Sequence, residues 1–128
     1  MRTILLLAIA VGLGYWIVTD TMNNGKLEQA LDTYLSPANA ASVEYFWAGA
    51  LSIIGHTPAA LYRNRRVIQK HPDSLYAPLA WVDIIDLLDA QHDRAGVFRE
   101  ADQFVAAYPQ HPKVAYVRKK VNVLQSGI

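Results

Sequence analysis

The chain has 128 residues, with 12 lysines and arginines against 11 aspartates and glutamates, so its formal net charge is +1. This near balance argues against nucleic acid as the main partner, because phosphate binding needs a basic excess on one face. The absence of cysteine excludes disulfides, thiolate metal sites, cysteine nucleophiles and lipid-modified cysteine anchors. This length allows one domain beside the N-terminal segment.

The N-terminal segment is apolar from Ile4 to Val18 and follows a single basic side chain, Arg2. As a helix the run would measure about 22 Å, against about 30 Å for the hydrocarbon layer, so a cleaved signal peptide competes with a retained anchor. The residues after the run lack the small side chains of a cleavage site, and Tyr15 and Trp16 are typical of a membrane interface. We therefore predict a retained membrane helix over 1–22 with a cytoplasmic N-terminus.

The remaining segment, 23–128, has apolar residues at helical spacing and no alternating stretch, which predicts an all-α fold. Prolines and short polar turns mark the breaks between helices. The predicted helices cover about 26–36, 38–54, 58–70, 74–91, 94–108 and 112–125.

Two similar stretches, KHPDSLYAPLAW and AAYPQHPKVAYV, indicate an internal repeat. A shift of 36 residues gives pairs such as His56–His92, Tyr62–Phe98 and Tyr45–Trp81, and a shift of 37 pairs Pro72 with Pro109. Each unit then consists of two helices and a turn. Such a hairpin buries its apolar face only by stacking on the next hairpin, so the pattern predicts a short helical-hairpin solenoid.

The period and the proline turn resemble the tetratricopeptide repeat, in the form found in periplasmic proteins such as the outer-membrane assembly lipoprotein and the Tol-Pal cell-division coordinator. One copy matches at Leu61, Val67, Ile68, His71, Pro72, Ser74, Tyr76, Ala77 and Pro78, and the next at Phe98, Ala101, Phe104, Val105, Tyr108 and Pro109. The Trp-Leu-Gly-Tyr core of the standard repeat is missing. The resemblance implies a scaffold that binds other proteins.

Candidate catalytic and metal-binding groups favour structural roles. The four histidines, His56, His71, His92 and His111, fall in predicted turns, and no two are four residues apart on a helix. The acidic stripe Asp83, Asp86 and Asp89 could bind a cation. We interpret it instead as a solvated face paired with a neighbouring helix, for which Arg63, Arg66 and Lys70 are candidate partners. We predict no enzymatic activity, no cofactor and no metal.

The aromatic trio Tyr45, Phe46 and Trp47 is the candidate partner-binding site. Three consecutive helical residues span too wide an arc to share one buried stripe. Because Tyr45 pairs with Trp81 in the repeat, we expect it in the core and expect Phe46 or Trp47 to face outward. The alternative is that the helix at about 26–36 covers them.

A basic group near the C-terminus comprises Lys113, Arg118, Lys119 and Lys120. It is interpreted as the polar cap of a terminal repeat. Together these features predict a membrane-anchored interaction module whose repeat domain is periplasmic or otherwise outside the cytoplasm. Its partners would be other proteins, such as subunits of a membrane complex. The alternative is a permanent accessory subunit of a larger membrane complex, in which Gly12 and Gly14 would allow close helix packing.

Overall fold

The computed structural model describes residues 2–23, 29 and 33–127, without the side chains of residues 14, 17–23 and 38. Over those residues the chain forms six helices with defined bounds and no strand, and residues 29, 33 and 34 are also helical. They are α1 (Arg2–Asn23), α2 (Pro37–Ile53), α3 (Thr57–Lys70), α4 (Tyr76–Ala90), α5 (Arg94–Ala107) and α6 (Val114–Gln125). The all-α prediction and the five helix positions from residue 38 onward are confirmed. The predicted helix at about 26–36 lies largely outside the described residues.

The chain divides into two compact units, Met1–Ala40 and Ala41–Ile128. In the first unit, the described large apolar and aromatic side chains of α1 are 55–72% exposed. In the part of the chain with described side chains, no helix has both the length and the apolar character needed to cross a membrane. The membrane helix over 1–22 therefore stays a prediction.

The second unit is built from consecutive helices packed in pairs: α3 on α4, α4 on α5 and α5 on α6. Their shared core consists of Val82, Ile84, Ile85 and Leu88 from α4, Val97, Ala101 and Phe104 from α5, and Val114 and Val117 from α6. Phe104 lies at its centre, with its ring 6.4 Å from that of Trp81 and 5.7 Å from that of Tyr108. Burial of these apolar stripes drives the stacking.

The turns recur with a period of 37 residues. At the end of α2, the His56 N–H donates to the Leu51 carbonyl over 2.9 Å, and at the end of α4 the Asp93 N–H donates to the Leu88 carbonyl over 2.9 Å. The residue before each donor has a positive φ, 85° at Gly55 and 60° at His92. This left-handed residue ends a helix by directing the chain back onto it.

The proline turns recur in the same register. The His71 N–H donates to Val67 and the Tyr108 N–H donates to Phe104, over 2.9 and 2.8 Å, with donor φ values of −132° and −131°. Pro72 and Pro109 follow at equivalent positions, as predicted.

The predicted shift of 36 for the rest of the unit is wrong by one residue, because it aligned histidines that occupy different turn positions. His56 corresponds to Asp93, and His92 corresponds to Gly55. Consequently Glu44, and not Tyr45, corresponds to Trp81.

Two buried carboxylates join the helices. Glu44 of α2 is 1% exposed and pairs with the Nε of Arg66 on α3. Glu100 of α5 is 3% exposed; its Oε1 accepts from Arg65 on α3 over 2.7 Å and its Oε2 accepts from Trp81 on α4 over 2.9 Å. A buried charge is tolerated only with partners. Glu44 therefore joins α2 to the following helix α3, and Glu100 joins α5 to the preceding hairpin of α3 and α4.

Candidate functional site

Three aromatic rings meet on the surface of the second unit. Tyr45 and Phe46 lie on α2, and Tyr76 is the first residue of α4. Their ring centroids are 5.5 Å apart for Tyr45 and Phe46, 5.3 Å for Tyr45 and Tyr76, and 5.9 Å for Phe46 and Tyr76. Tyr45 and Tyr76 are half-buried, whereas Phe46 is 63% exposed. We call these three residues the aromatic surface.

The three residues of the predicted trio point in different directions, as the 100° helical step requires. Phe46 projects outward, and Trp47 is half-buried with its indole Nε1 buried and without a hydrogen-bond partner among the described residues. Tyr45 is half-buried and does not occupy the core position expected for it. Glu44 takes that position, for the reason of register given above. Whether the trio binds a partner stays a prediction.

Asp83 of α4 connects the aromatic surface to the acidic stripe. It accepts a hydrogen bond from the Tyr45 hydroxyl. Burial raises the pKa of Asp83, as does the neighbouring Asp86 charge, while the Tyr45 hydrogen bond and Lys113 act in the opposite direction. Burial and the Asp83 carboxylate also raise the pKa of Tyr45. The bond therefore restrains the Tyr45 ring, which contacts the exposed Phe46 edge to face.

The rest of the acidic stripe is paired with α6. Lys120 Nζ lies 3.0 Å from Asp86 and 2.6 Å from Asp89, and the Tyr116 hydroxyl donates to Asp86 over 2.7 Å. Burial lowers the pKa of Lys120, but the hydrogen bonds to both carboxylates outweigh that effect and raise it above its ordinary value. The stripe is thus paired with a neighbouring helix, α6, which supplies the cation Lys120. Whether Arg63, Arg66 or Lys70 of α3 also faces the stripe stays a prediction.

The four histidines all lie in turns or at helix ends, as predicted. His56 and His71 cap α3 at its two ends, and His92 and His111 lie in the turns that follow α4 and α5. Among the side chains that the structure describes, no group of three potential ligands is placed to hold a metal ion.

On α1, Tyr15 and Trp16 are 70% and 64% exposed. Their assignment to a membrane interface stays a prediction. In the basic group near the C-terminus, Arg118 and Lys119 are exposed, and Lys113 lies 5.2 Å from the centroid of the Tyr116 ring. Lys120 is the exception, because the acidic stripe holds it half-buried.

Sequence reasoning missed Tyr76 as part of the aromatic surface and Glu100 as a junction. At the period of 37, Glu100 aligns with Arg63, and both residues are 3% exposed. Their sequence neighbours include the polar or charged residues Asn64 and Arg99, so the local pattern did not indicate that either is buried. Comparison of the chain with models of protein families, with curated proteins and with solved structures gives no match.

Proposed function

We propose that the second unit is a helical-repeat module of the tetratricopeptide type that binds other proteins, and that α1 anchors it to a membrane with the repeat outside the cytoplasm. The observation that carries the binding role is Phe46, a large apolar side chain left 63% exposed while its neighbours hold it in place. Exposed aromatic anchors of this kind are enriched at the centres of protein interfaces.

The geometry favours recognition by a preformed surface. Phe46 contacts two rings, Tyr45 is tied to Asp83, and Tyr76 lies at the start of a well-packed helix. A side chain that is already restrained loses little rotamer freedom when a partner covers it, so more of the buried area contributes to affinity. The mechanism is therefore docking of a partner's apolar side chains on the aromatic surface.

The repeat class is supported by turn hydrogen bonds that recur every 37 residues and by the ordered packing of α3 to α6. The resemblance to the tetratricopeptide family rests on the sequence pattern.

The membrane anchor likewise rests on the sequence, namely the apolar run after Arg2 and the Tyr15–Trp16 pair. It is tested by alkaline extraction of membranes from cells that produce the full chain. An integral protein stays in the pellet, and protease added from the periplasmic side removes the repeat. Release of the intact chain into the supernatant, or a mature N-terminus near residue 20, contradicts the anchor.

The alternative is a permanent subunit of a membrane complex. It is favoured by exposed apolar side chains besides those of the aromatic surface: Ile53 is 88% exposed, Ile54 66% and Leu75 83%. A permanent subunit covers such residues throughout its life, whereas a scaffold exposes them whenever it is free.

One experiment tests the binding role and separates the two candidates. A photoreactive phenylalanine analogue replaces Phe46 in the full chain, and a matched variant carries it at Gln91, an exposed polar position that follows α4. We expect one defined crosslinked protein from position 46, none from position 91, and a lower yield when Tyr76→Ala removes the supporting ring.

Isotope-labelled chain is added to the complex before irradiation. This addition shows whether the partner exchanges between copies of the chain, as for a scaffold, or stays bound in a fixed ratio, as for a subunit. Equal crosslinking from both positions contradicts the role of the aromatic surface.

A further inference from the structure

The packing of α5 shows how this protein buries a helix. Glu100 bonds Arg65 on α3 and Trp81 on α4, so α5 lies across both helices of the preceding hairpin. On that hairpin, Ile84 and Ile85 are completely buried in the core shared with α5. A groove between two helices of one hairpin is thus filled by the next helix, with one polar side chain at the centre of the contact.

The next hairpin, α5 and α6, has the equivalent groove. It encloses about 330 Å³ and its floor includes Ala101, Val105, Val117 and Val121. With the period of 37, Val121 and Asn122 correspond to Ile84 and Ile85, yet Val121 is only half-buried and Asn122 is exposed. The surface that α5 covers on one hairpin is therefore open on the following one.

The polar positions beside this groove carry opposite charges. Asp102 on α5 corresponds to Arg65, and Arg118 on α6 corresponds to Trp81; both line the groove. Within the described part of the chain, neither takes part in an ion pair or side-chain hydrogen bond. In the groove between α3 and α4, Glu100 accepts from two donors. A residue at the equivalent place in the groove between α5 and α6 would face one acceptor, Asp102, and one donor, Arg118.

We propose that the groove between α5 and α6 binds an amphipathic helix of another protein, with an apolar stripe like that of α5 and a glutamine or asparagine at its centre. An amide donates to Asp102 through its NH₂ group and accepts from Arg118 through its carbonyl, so it satisfies both walls. A carboxylate would be repelled by Asp102, and an ammonium group by Arg118.

A peptide copied from α5 serves as the probe for the groove. A peptide of residues 93–108, stapled between the exposed positions 99 and 103 because short helices are marginal in water, carries the apolar stripe of α5. Three versions have Gln, Glu or Lys at position 100. Binding to the full-length chain is measured by fluorescence anisotropy for the parent, for Asp102→Arg and for Arg118→Glu.

The expected preference among the three peptides follows the charges at positions 102 and 118, which line the groove. The parent binds the Gln peptide best, Asp102→Arg the Glu peptide, and Arg118→Glu the Lys peptide, each by about tenfold over the mismatched versions. Lys119→Glu is the matched control, since this exposed residue on α6 does not line the groove, and it leaves the order unchanged.

Three results overturn the proposal. The first is no binding of any peptide at about 1 mM, a dissociation constant that corresponds to a binding free energy of only about −4 kcal/mol. The second is the same order of peptide affinities for the parent and all variants. The third is self-association of the parent that Arg118→Glu abolishes, which would make the groove an interface between copies. Circular dichroism confirms that each variant is folded.

The groove proposal and the role of the aromatic surface fail separately. Phe46→Ala removes the anchor of the aromatic surface and leaves peptide binding at the groove unchanged. If Phe46→Ala weakens peptide binding as much as Asp102→Arg does, the peptide binds at the aromatic surface and the groove assignment is wrong.

Discussion

Substitution of Glu100 by glutamine tests whether the junction between α3, α4 and α5 stabilises the stacked hairpins. The side chain is 4% exposed and accepts two hydrogen bonds, from the guanidinium of Arg65 and the indole of Trp81. An amide of the same size has one acceptor, so its NH₂ group faces one of these two donors. Glutamine therefore loses a charge-assisted bond and leaves a donor unpaired.

The expected magnitude follows from the exposure of the partners. A hydrogen bond to a charged group contributes about 1.5–3 kcal/mol, and an unpaired buried donor costs about 1–3 kcal/mol. Because Arg65 is 42% exposed, its freed guanidinium turns to water and the cost falls toward the lower end of the combined range. We expect Glu100→Gln to lower the free energy of unfolding by about 2–3 kcal/mol, which corresponds to a fall in Tm of about 10 °C or more for a unit of this size.

The assay is urea unfolding of the full chain, followed by tryptophan fluorescence and by circular dichroism. Arg99→Gln is the matched control, because its guanidinium is 58% exposed and lies 3.9 Å from the same carboxylate; such a pair contributes about 0–1 kcal/mol. If Glu100→Gln unfolds within about 0.5 kcal/mol of Arg99→Gln, the buried junction contributes no more than a surface ion pair and the reasoning is refuted.

Three further outcomes concern other parts of the second unit. His92→Gly removes a non-glycine residue from the left-handed conformation and should raise the free energy of unfolding by about 1 kcal/mol. Gly55→Ala at the equivalent position should lower it by about 1 kcal/mol. Thermal unfolding checks both, because the two changes in Tm should have opposite signs. Burial raises the pKa of Asp83. The contribution of Asp83 to folding stability is therefore fully present below the ordinary pKa of the carboxyl, and it is lost as pH rises through the raised pKa. Asp83→Asn should flatten the fall in stability as pH rises above the ordinary pKa of the carboxyl, and an unchanged slope of stability against pH in urea titrations contradicts the assignment. Phe104→Ala should cost about 3–5 kcal/mol and Phe46→Ala less than about 0.5 kcal/mol, since only the first is buried; similar losses would place Phe46 in the core.

The sequence by itself determined the helices of the second unit. Their limits depend on local chemistry, because proline lacks an amide hydrogen and ends or begins a helix wherever it occurs. Pro58 lies in the first turn of α3, and Pro72 and Pro109 follow the ends of α3 and α5. Apolar residues at helical spacing then predicted that the hairpins stack to bury their apolar faces.

Only the tertiary structure decided the register of the repeat and the partners of the charged side chains. The sequence aligned two histidines, whereas the fold aligns His92 with Gly55 because both end a helix in the left-handed conformation. Neighbouring residues on a helix point about 100° apart. An alignment that is wrong by one residue therefore assigned Tyr45 to the position that Glu44 occupies. The pairing of Lys120 with Asp86 and Asp89 depends on where α6 packs, about thirty residues later in the chain. Periodicity carries no information about contacts at that separation.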